Sequence, residues 1–248
     1  MKRTLPLLFA LFGLGAAQAD EVQVAVAANF TGPMQVIAPL FARDTGHKAS
    51  LAFGSTGKFQ AQIANGAPFE VLLAADEETP ARLVRDGNAV AGTAFTYAIG
   101  KLVLWSADSR LVDGKGDILK KGGFRHLALA NPKAAPYGAA GLQVMTRLGV
   151  AEEIKPLLVQ GENIAQAHQF IASGAADLGF VAYSQVIRNG RIGSGSGWIV
   201  PGNLYDPIRQ DAVLLAKGKD KPAAVALLNY LKGDKAKEVI KSFGYELR

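Results

Sequence analysis

Residues 21–44, EVQVAVAANFTGPMQVIAPLFARD, change their hydrophobic period halfway along. Val22, Val24 and Val26 alternate as on a strand, whereas Met34, Ile37, Ala38 and Phe41 follow the i, i+3, i+4, i+7 spacing of a helix. Pro33 suits the first helical turn, and Asn29 or Thr31 suits the cap. A strand therefore runs into a helix. The loop 27–30 between them presents free backbone N–H groups at the positive end of a helix dipole, where an anion is favoured.

The alternation repeats. Residues 48–53 read as a strand, Gly54-Ser55-Thr56-Gly57-Lys58 as a loop, and the next stretch as a helix with Phe59 and Ile63 one turn apart, ended by Gly66. Residues 69–75 form a third strand, and Thr79-Pro80 opens a short helix that stops at Gly87. Strands and helices alternating at this pitch predict an α/β fold with a parallel, doubly wound sheet, in which ligands bind beyond the carboxyl ends of the strands. Residues 95–105 are long for one strand and carry Gly100 in the middle, so the chain is expected to leave one domain there and enter another.

The second half has the same grammar. A strand over 125–130 is followed by the loop NPKAAPYG (131–138) and a helix over 139–148, and a short strand over 157–159 by Gly161-Glu162-Asn163 and a helix over 164–173. Then come a strand over 178–182, a short helix over 183–189, a flexible glycine-serine loop over 193–197 and a returning strand over 211–216. Two structural helices close the chain, one with Ala224, Leu227, Leu228 and Leu231 on a face, the other with Val239, Ile240 and Phe243. The expectation is two doubly wound α/β domains joined by a two-strand hinge, the first built from residues 20–99 and 206–248, the second from 100–205.

Residues 1–19, MKRTLPLLFALFGLGAAQA, set Lys2 and Arg3 before a short apolar run and end in Ala17-Gln18-Ala19, the pattern of a secretory signal peptide cleaved before Asp20. The run falls well short of the roughly 20 residues of a membrane span. No later segment reaches that length, so a soluble protein in the periplasm is expected. Cysteine is absent, which excludes disulfides and thiolate chemistry and leaves stability to the core. The formal net charge is +6, with Lys2 and Arg3 contributing two units and the rest spread along the chain. With no basic block interleaved with aromatics, a nucleic-acid partner is not expected.

Four strand-to-helix corners, two per half, place loop amides at helix starts: Ala28-Asn29, Ser55-Thr56, Pro136-Tyr137-Gly138 and Asn163-Ile164-Ala165. Each alone is an ordinary cap. Four that face one another across two domains make a site of neutral donors, which suits a fully ionised tetrahedral dianion that needs no acceptor. Glu162 is the one acid inside a corner and is expected to be solvated, as is Lys58. GSTGK is not a nucleotide loop, because Phe59 follows Lys58 where the frame needs serine or threonine. His47, His126 and His168 show no paired metal-ligand spacing, and His168 reads as a core histidine. No cofactor and no catalytic arrangement are expected. The competing readings are a receptor for sulfate, phosphate or an organic anion, and an exported hydrolase using Ser55 or Thr56 as nucleophile.

The motifs VAVAANFTGPM (24–34), FGSTGKFQAQIANGAPFEVLLAADEETP (53–80), FTYAIGKLVLWSA (95–107), NPKAAPYGAAG (131–141) and SGAADLGFVAYSQ (173–185) occur in order along residues 20–248. Through them the chain resembles the periplasmic molybdate-binding proteins of bacterial ABC uptake systems. The resemblance implies a monomeric, hinged receptor of type II periplasmic-binding-protein fold that closes on molybdate or tungstate and delivers it to a membrane permease. By position it implies ligand contacts from Ala28, Asn29, Ser55, Thr56, Tyr137 and Ile164, mostly through backbone N–H groups, with the side chains of Asn29, Thr56 and Tyr137 adding donors. Two positions depart from many relatives, which have serine in place of Asn29 and a ligand-binding tyrosine in place of Ala182. The chain thus resembles a branch that uses the asparagine and the tyrosine of NPKAAPYG, with Tyr183 pointing elsewhere.

Overall fold

The computed structural model describes residues 20–247; the expected leader, residues 1–19, lies outside them. Along the chain run β1 (Glu21–Ala27), a 3-10 turn (Ala28–Phe30), α1 (Thr31–Thr45), β2 (Lys48–Gly54), α2 (Thr56–Ala64), β3 (Val71–Leu73), α3 (Glu78–Arg85) and β4 (Phe95–Gly100). The chain then crosses to β5 (Leu102–Ser106), α4 (Ile118–Lys121), β6 (Leu127–Ala130), α5 (Pro136–Arg147), α6 (Ala151–Ile154), β7 (Leu158–Gly161), α7 (Ile164–Ala172), β8 (Leu178–Ala182) and α8 (Tyr183–Val186). A small hairpin of β9 (Ile187–Arg188) and β10 (Arg191–Ile192) and the edge strand β11 (Ser196–Ile199) follow. The return strand β12 (Ile208–Leu214) leads to α9 (Pro222–Leu231) and α10 (Asp234–Ser242).

These strands make two five-stranded sheets, ordered β2-β1-β3-β12-β4 and β11-β5-β8-β6-β7. Each sheet with its helices forms a lobe, and the chain passes between lobes twice, at Lys101 and again between Ile199 and Ile208. Strands β1, β2 and β3 run parallel, as do β6, β7 and β8, because crossover helices, α1 and α2 in one lobe and α5 to α7 in the other, connect them in turn. The sheets are mixed rather than wholly parallel: β12 runs antiparallel to β3 and β4, and β5 runs antiparallel to β8 and β11. The antiparallel strands are those next to the crossings, where the chain changes lobe instead of returning over a helix.

Both faces of the first sheet are covered. On β1, Val22, Val24 and Val26 pack with Phe30, Met34, Ile37 and Phe41 and with α9 and α10, while Ala25 faces Phe59, Ile63 and Leu72. The second lobe packs around Leu102, Leu104, Met145, Ile171 and Phe180.

Several local expectations change. Helix α5 begins at Pro136 rather than Ala139, with proline in the first turn where its missing N–H costs nothing. The expected helix over 183–189 stops at Val186 and gives way to the hairpin, whose turn is Asn189-Gly190 with φ of 52° and 78°. The expected loop over 193–197 runs into β11, which pairs with β5. The third strand is confined to Val71–Leu73, and neither Asn29 nor Thr31 accepts a cap bond; Thr31 instead donates to the Ala28 carbonyl at 2.8 Å.

The C-terminal helices are tied back through Asp44, which follows α1's last basic residue and accepts from Lys235 Nζ (2.7 Å) and the Tyr230 hydroxyl (2.8 Å). The Lys235 bond above all holds its carboxyl down to about 2, against 3.8 for the free side chain. A depressed carboxyl contributes stability that is complete above its unfolded pKa and lost as pH falls through the folded one. An Asp44→Asn variant is therefore expected to melt below the parent protein at pH 6, with the difference fading between about pH 4 and 2 in thermal unfolding followed by circular dichroism.

Candidate functional site

All six residues singled out from the sequence line one small, tightly closed cavity between the lobes, together with neighbours such as Gly54, Ala75, Pro136 and Asn163. Ala28, Asn29, Ser55, Thr56, Tyr137 and Ile164 are each at most 5% exposed. None of the twelve lining residues carries a charge.

The donors follow from how each helix start disposes of its unpaired N–H groups. On α7 the Asn163 side chain caps the N–H groups of Ala165 and Gln166, both at 3.0 Å, and Ala167 donates to the Asn163 carbonyl, which leaves the N–H of Ile164. On α5 Pro136 has none, Gly138 and Ala139 donate to the Ala135 carbonyl, and Tyr137 N–H remains. On α2 the N–H of Gly57 crosses to the other lobe and donates to Ala134 O at 2.9 Å, and that of Phe59 donates to Ser55 O, which leaves Thr56 and Lys58. A Cβ at Gly57 would sit 3.0 Å from the Ala134 Cα, so glycine permits this close approach.

Among the described residues, Ser55 Oγ is the buried side-chain polar atom left with no hydrogen-bond partner. Thr56 Oγ1 accepts from Ala75 N at 2.9 Å and keeps its own hydrogen to donate. An orphaned hydroxyl beside four helix starts, in a cavity without charge, is a donor set built for an acceptor that the protein itself does not supply.

Two side chains read as donors are engaged elsewhere. Both hydrogens of the Asn29 amide have partners, Gln210 Oε1 at 2.7 Å and the Tyr245 hydroxyl at 3.0 Å, and the Tyr137 hydroxyl accepts from Gln210 Nε2 at 3.0 Å. Asn29 and Tyr137 thus turn toward a buried network behind the cavity, leaving their backbones at its wall. Burial pushes the Tyr137 phenol well above its usual range and that of Tyr245 to about 12, so both stay neutral. Gln210, Tyr245, Tyr97 and Ser184 are network members that no local sequence signal announced.

Glu162 is absent from the lining; it is exposed and pairs with Lys58 across the mouth between the lobes. Ala182 is fully buried at the end of β8, where its N–H donates to Gln185 Oε1, and the Tyr183 hydroxyl donates to Gly190 O at 2.9 Å, away from the cavity. His168 stacks on Trp105 with ring centroids 5.1 Å apart, and burial lowers its pKa. No group of three or more His, Cys, Asp or Glu that could hold a metal ion occurs among the described residues, and no helix there is long and apolar enough to cross a membrane.

Two α/β lobes that meet over an uncharged, donor-lined cavity define a solute-binding protein. The sequence pattern of the bacterial extracellular solute-binding proteins matches residues 22–246, and the chain belongs to that family. It is 61% identical, over an alignment of 252 residues spanning all of both chains, to the molybdate-binding protein ModA of Azotobacter vinelandii. It is 55% identical over 229 residues to the protein of the same name from Rhodobacter capsulatus, covering 92% of this chain and 89% of that one. The solved structure of the Azotobacter vinelandii periplasmic molybdate-binding protein matches with a TM-score of 0.89 at 46% identity, over 92% of this chain and 99% of that one.

The two hydroxyls should separate in their effect on stability. Ser55→Ala removes a group with no partner and is expected to leave the melting temperature of the ligand-free protein unchanged or higher. Thr56→Val strands the Ala75 N–H and is expected to cost about 1–3 kcal/mol in denaturant unfolding.

Proposed function

We propose that this protein is an exported, non-enzymatic receptor that closes its two lobes on molybdate, and on tungstate, in the periplasm and delivers the anion to the permease of an ABC uptake system. The observation that carries the reading is Ser55 Oγ, buried without a partner in a cavity that four helix starts surround and no charge lines. Backbone N–H groups and hydroxyls can donate to every oxygen of a tetrahedral dianion. A hydrogen phosphate would also need an acceptor for its proton, and neither aspartate nor glutamate lines the cavity. The names of the relatives at 61% and 55% identity support the metalate over other oxyanions.

Size supplies the rest of the selectivity. In a fixed shell a smaller anion leaves some buried N–H groups with stretched or missing bonds, at about 1–3 kcal/mol for each group unsatisfied. Turnover has no support in the cavity, whose lining includes no histidine, aspartate, glutamate or lysine to activate Ser55 or Thr56.

Calorimetry on the mature protein tests the proposal. Molybdate and tungstate are expected to bind more tightly than sulfate and phosphate, and Ser55→Ala to weaken molybdate binding about ten- to a hundredfold, the equivalent of one lost donor. Tighter binding of sulfate or phosphate than of either metalate would refute it. Because Tyr137 is pushed up out of the titrating range and the other lining residues do not ionise, molybdate affinity should change less than about threefold between pH 7 and 9. A steep decline over that interval would reveal an ionising group in contact with the anion.

A further inference from the structure

Gln210 is a fully buried polar side chain on the return strand β12. Next to it the pairing of β12 with β4 slips. Gln210 lies opposite Ala98 and Asp211 opposite Thr96, so Tyr97 is the extra residue of a bulge. Bulges re-aim side chains, and here the Tyr97 hydroxyl reaches Ala74 O at 2.9 Å and Gln210 Oε1 at 3.1 Å.

The Gln210 amide has a partner on each side. Its Oε1 accepts from Asn29 Nδ2, and its Nε2 donates to the Tyr137 hydroxyl. Asn29 belongs to the 3-10 turn of the first lobe and Tyr137 to α5 of the second. A single amide therefore joins the two corners whose backbones approach the cavity from opposite lobes. The joint is clamped on both flanks. The Tyr245 hydroxyl accepts from Asn29 Nδ2 and lies within donating distance of Asn29 O (2.8 Å) and of Ser184 Oγ (3.0 Å). Ser184, from the second lobe, also donates to Asn29 O at 2.9 Å.

The backbone behind the joint leaves no slack. A Cβ at Gly100 would lie 1.9 Å from the Tyr137 hydroxyl oxygen and 2.6 Å from Gln210 Nε2, so the phenol is seated on a bare strand end at the crossing between lobes. An amide with partners on both ends, enclosed on every side, cannot shift without stranding a buried polar group.

We propose that Gln210 is a positioning residue that sets the separation of the two lobes' donor sets when they close, and thereby the size of tetrahedral oxyanion the cavity prefers. The inference rests on the functional reading above. Gln210 is outside the cavity lining, so it acts through Asn29 and Tyr137 and its loss removes no donor to the anion. Without its bond to Tyr137, α5 is free to settle at another distance from the Ala28-Asn29 turn, and the shell fits a smaller anion better than before.

The test compares anions rather than a single affinity. Gln210→Met keeps the length of the side chain without its hydrogen bonds, and Tyr137→Phe removes the hydroxyl while keeping the backbone N–H. Dissociation constants for molybdate and sulfate are measured by calorimetry on both variants and the parent, with melting temperatures of the ligand-free proteins alongside. The expected result is a fall of tenfold or more in the molybdate-over-sulfate preference in each variant that folds. A purely structural role lowers the melting temperature and weakens both anions alike; a preference that falls less than tenfold overturns the inference. Should Gln210→Met fail to fold, Tyr137→Phe decides alone by the same threshold. A parent protein that prefers sulfate or binds neither anion overturns the functional reading, and the inference with it, whereas an intact parent preference with unmoved variants overturns the inference only.

Discussion

A backbone N–H at the start of a helix has no partner within that helix, and the cavity between the lobes is arranged around four such starts. Each helix disposes of some of its donors internally, by the Asn163 cap, by the proline at 136 or by bonding back to Ala135, and keeps a remainder at Tyr137, Ile164 and Thr56. Removing those groups from water without an acceptor is costly, and an anion that accepts from them in place of water would recover the cost. The alternation of strand and helix, the convergence of the two sheets and the absence of charge from the lining all serve that one constraint. A cation in the wall would attract anions of every kind, whereas fixed dipoles reward the ion whose oxygens reach them.

The two lobes are joined by contacts both at the mouth of the cavity and behind it. Gly57 N–H bonding Ala134 O and the exposed Lys58–Glu162 pair draw the mouth shut, the ion pair weakly because solvent screens it. Behind the cavity the buried chain Asn29–Gln210–Tyr137 joins the lobes near the crossing strands, where neutral groups are satisfied on both sides. Asn29 and Tyr137 therefore have two tasks, a backbone at the wall and a side chain in the joint, and a cap-like asparagine is present because its amide spans that gap.

Much of this was legible in the sequence because its signals are local. The period change from Val26 to Met34, the glycine at 46 and the asparagine at 163 all lie within a few residues of what they determine, so the four corners could be read from the chain, and the family resemblance singled out six of the twelve lining residues within them. What escaped notice depends on partners far along the chain. Asn29 looks like a helix cap, yet its amide bonds to Gln210 and Tyr245, 181 and 216 positions away, and nothing near Gln210 marks it. Strand β11 was hidden in a glycine-serine stretch because a four-residue edge strand takes its structure from β5 rather than from its own pattern. The hairpin turn Asn189-Gly190 was visible as a dipeptide, but its strands are two residues each, too short to show a period.

The most direct test of an uncharged donor shell is a crystal structure of the mature protein with molybdate, located by the anomalous signal of molybdenum. One peak is expected in the cavity, with oxygens bonded to Ser55 Oγ and to the N–H groups of Tyr137 and Ile164, and with the Asn29 amide still on Gln210. A peak outside the four corners, or Lys58 or another charged side chain bonded to the metalate, would contradict it.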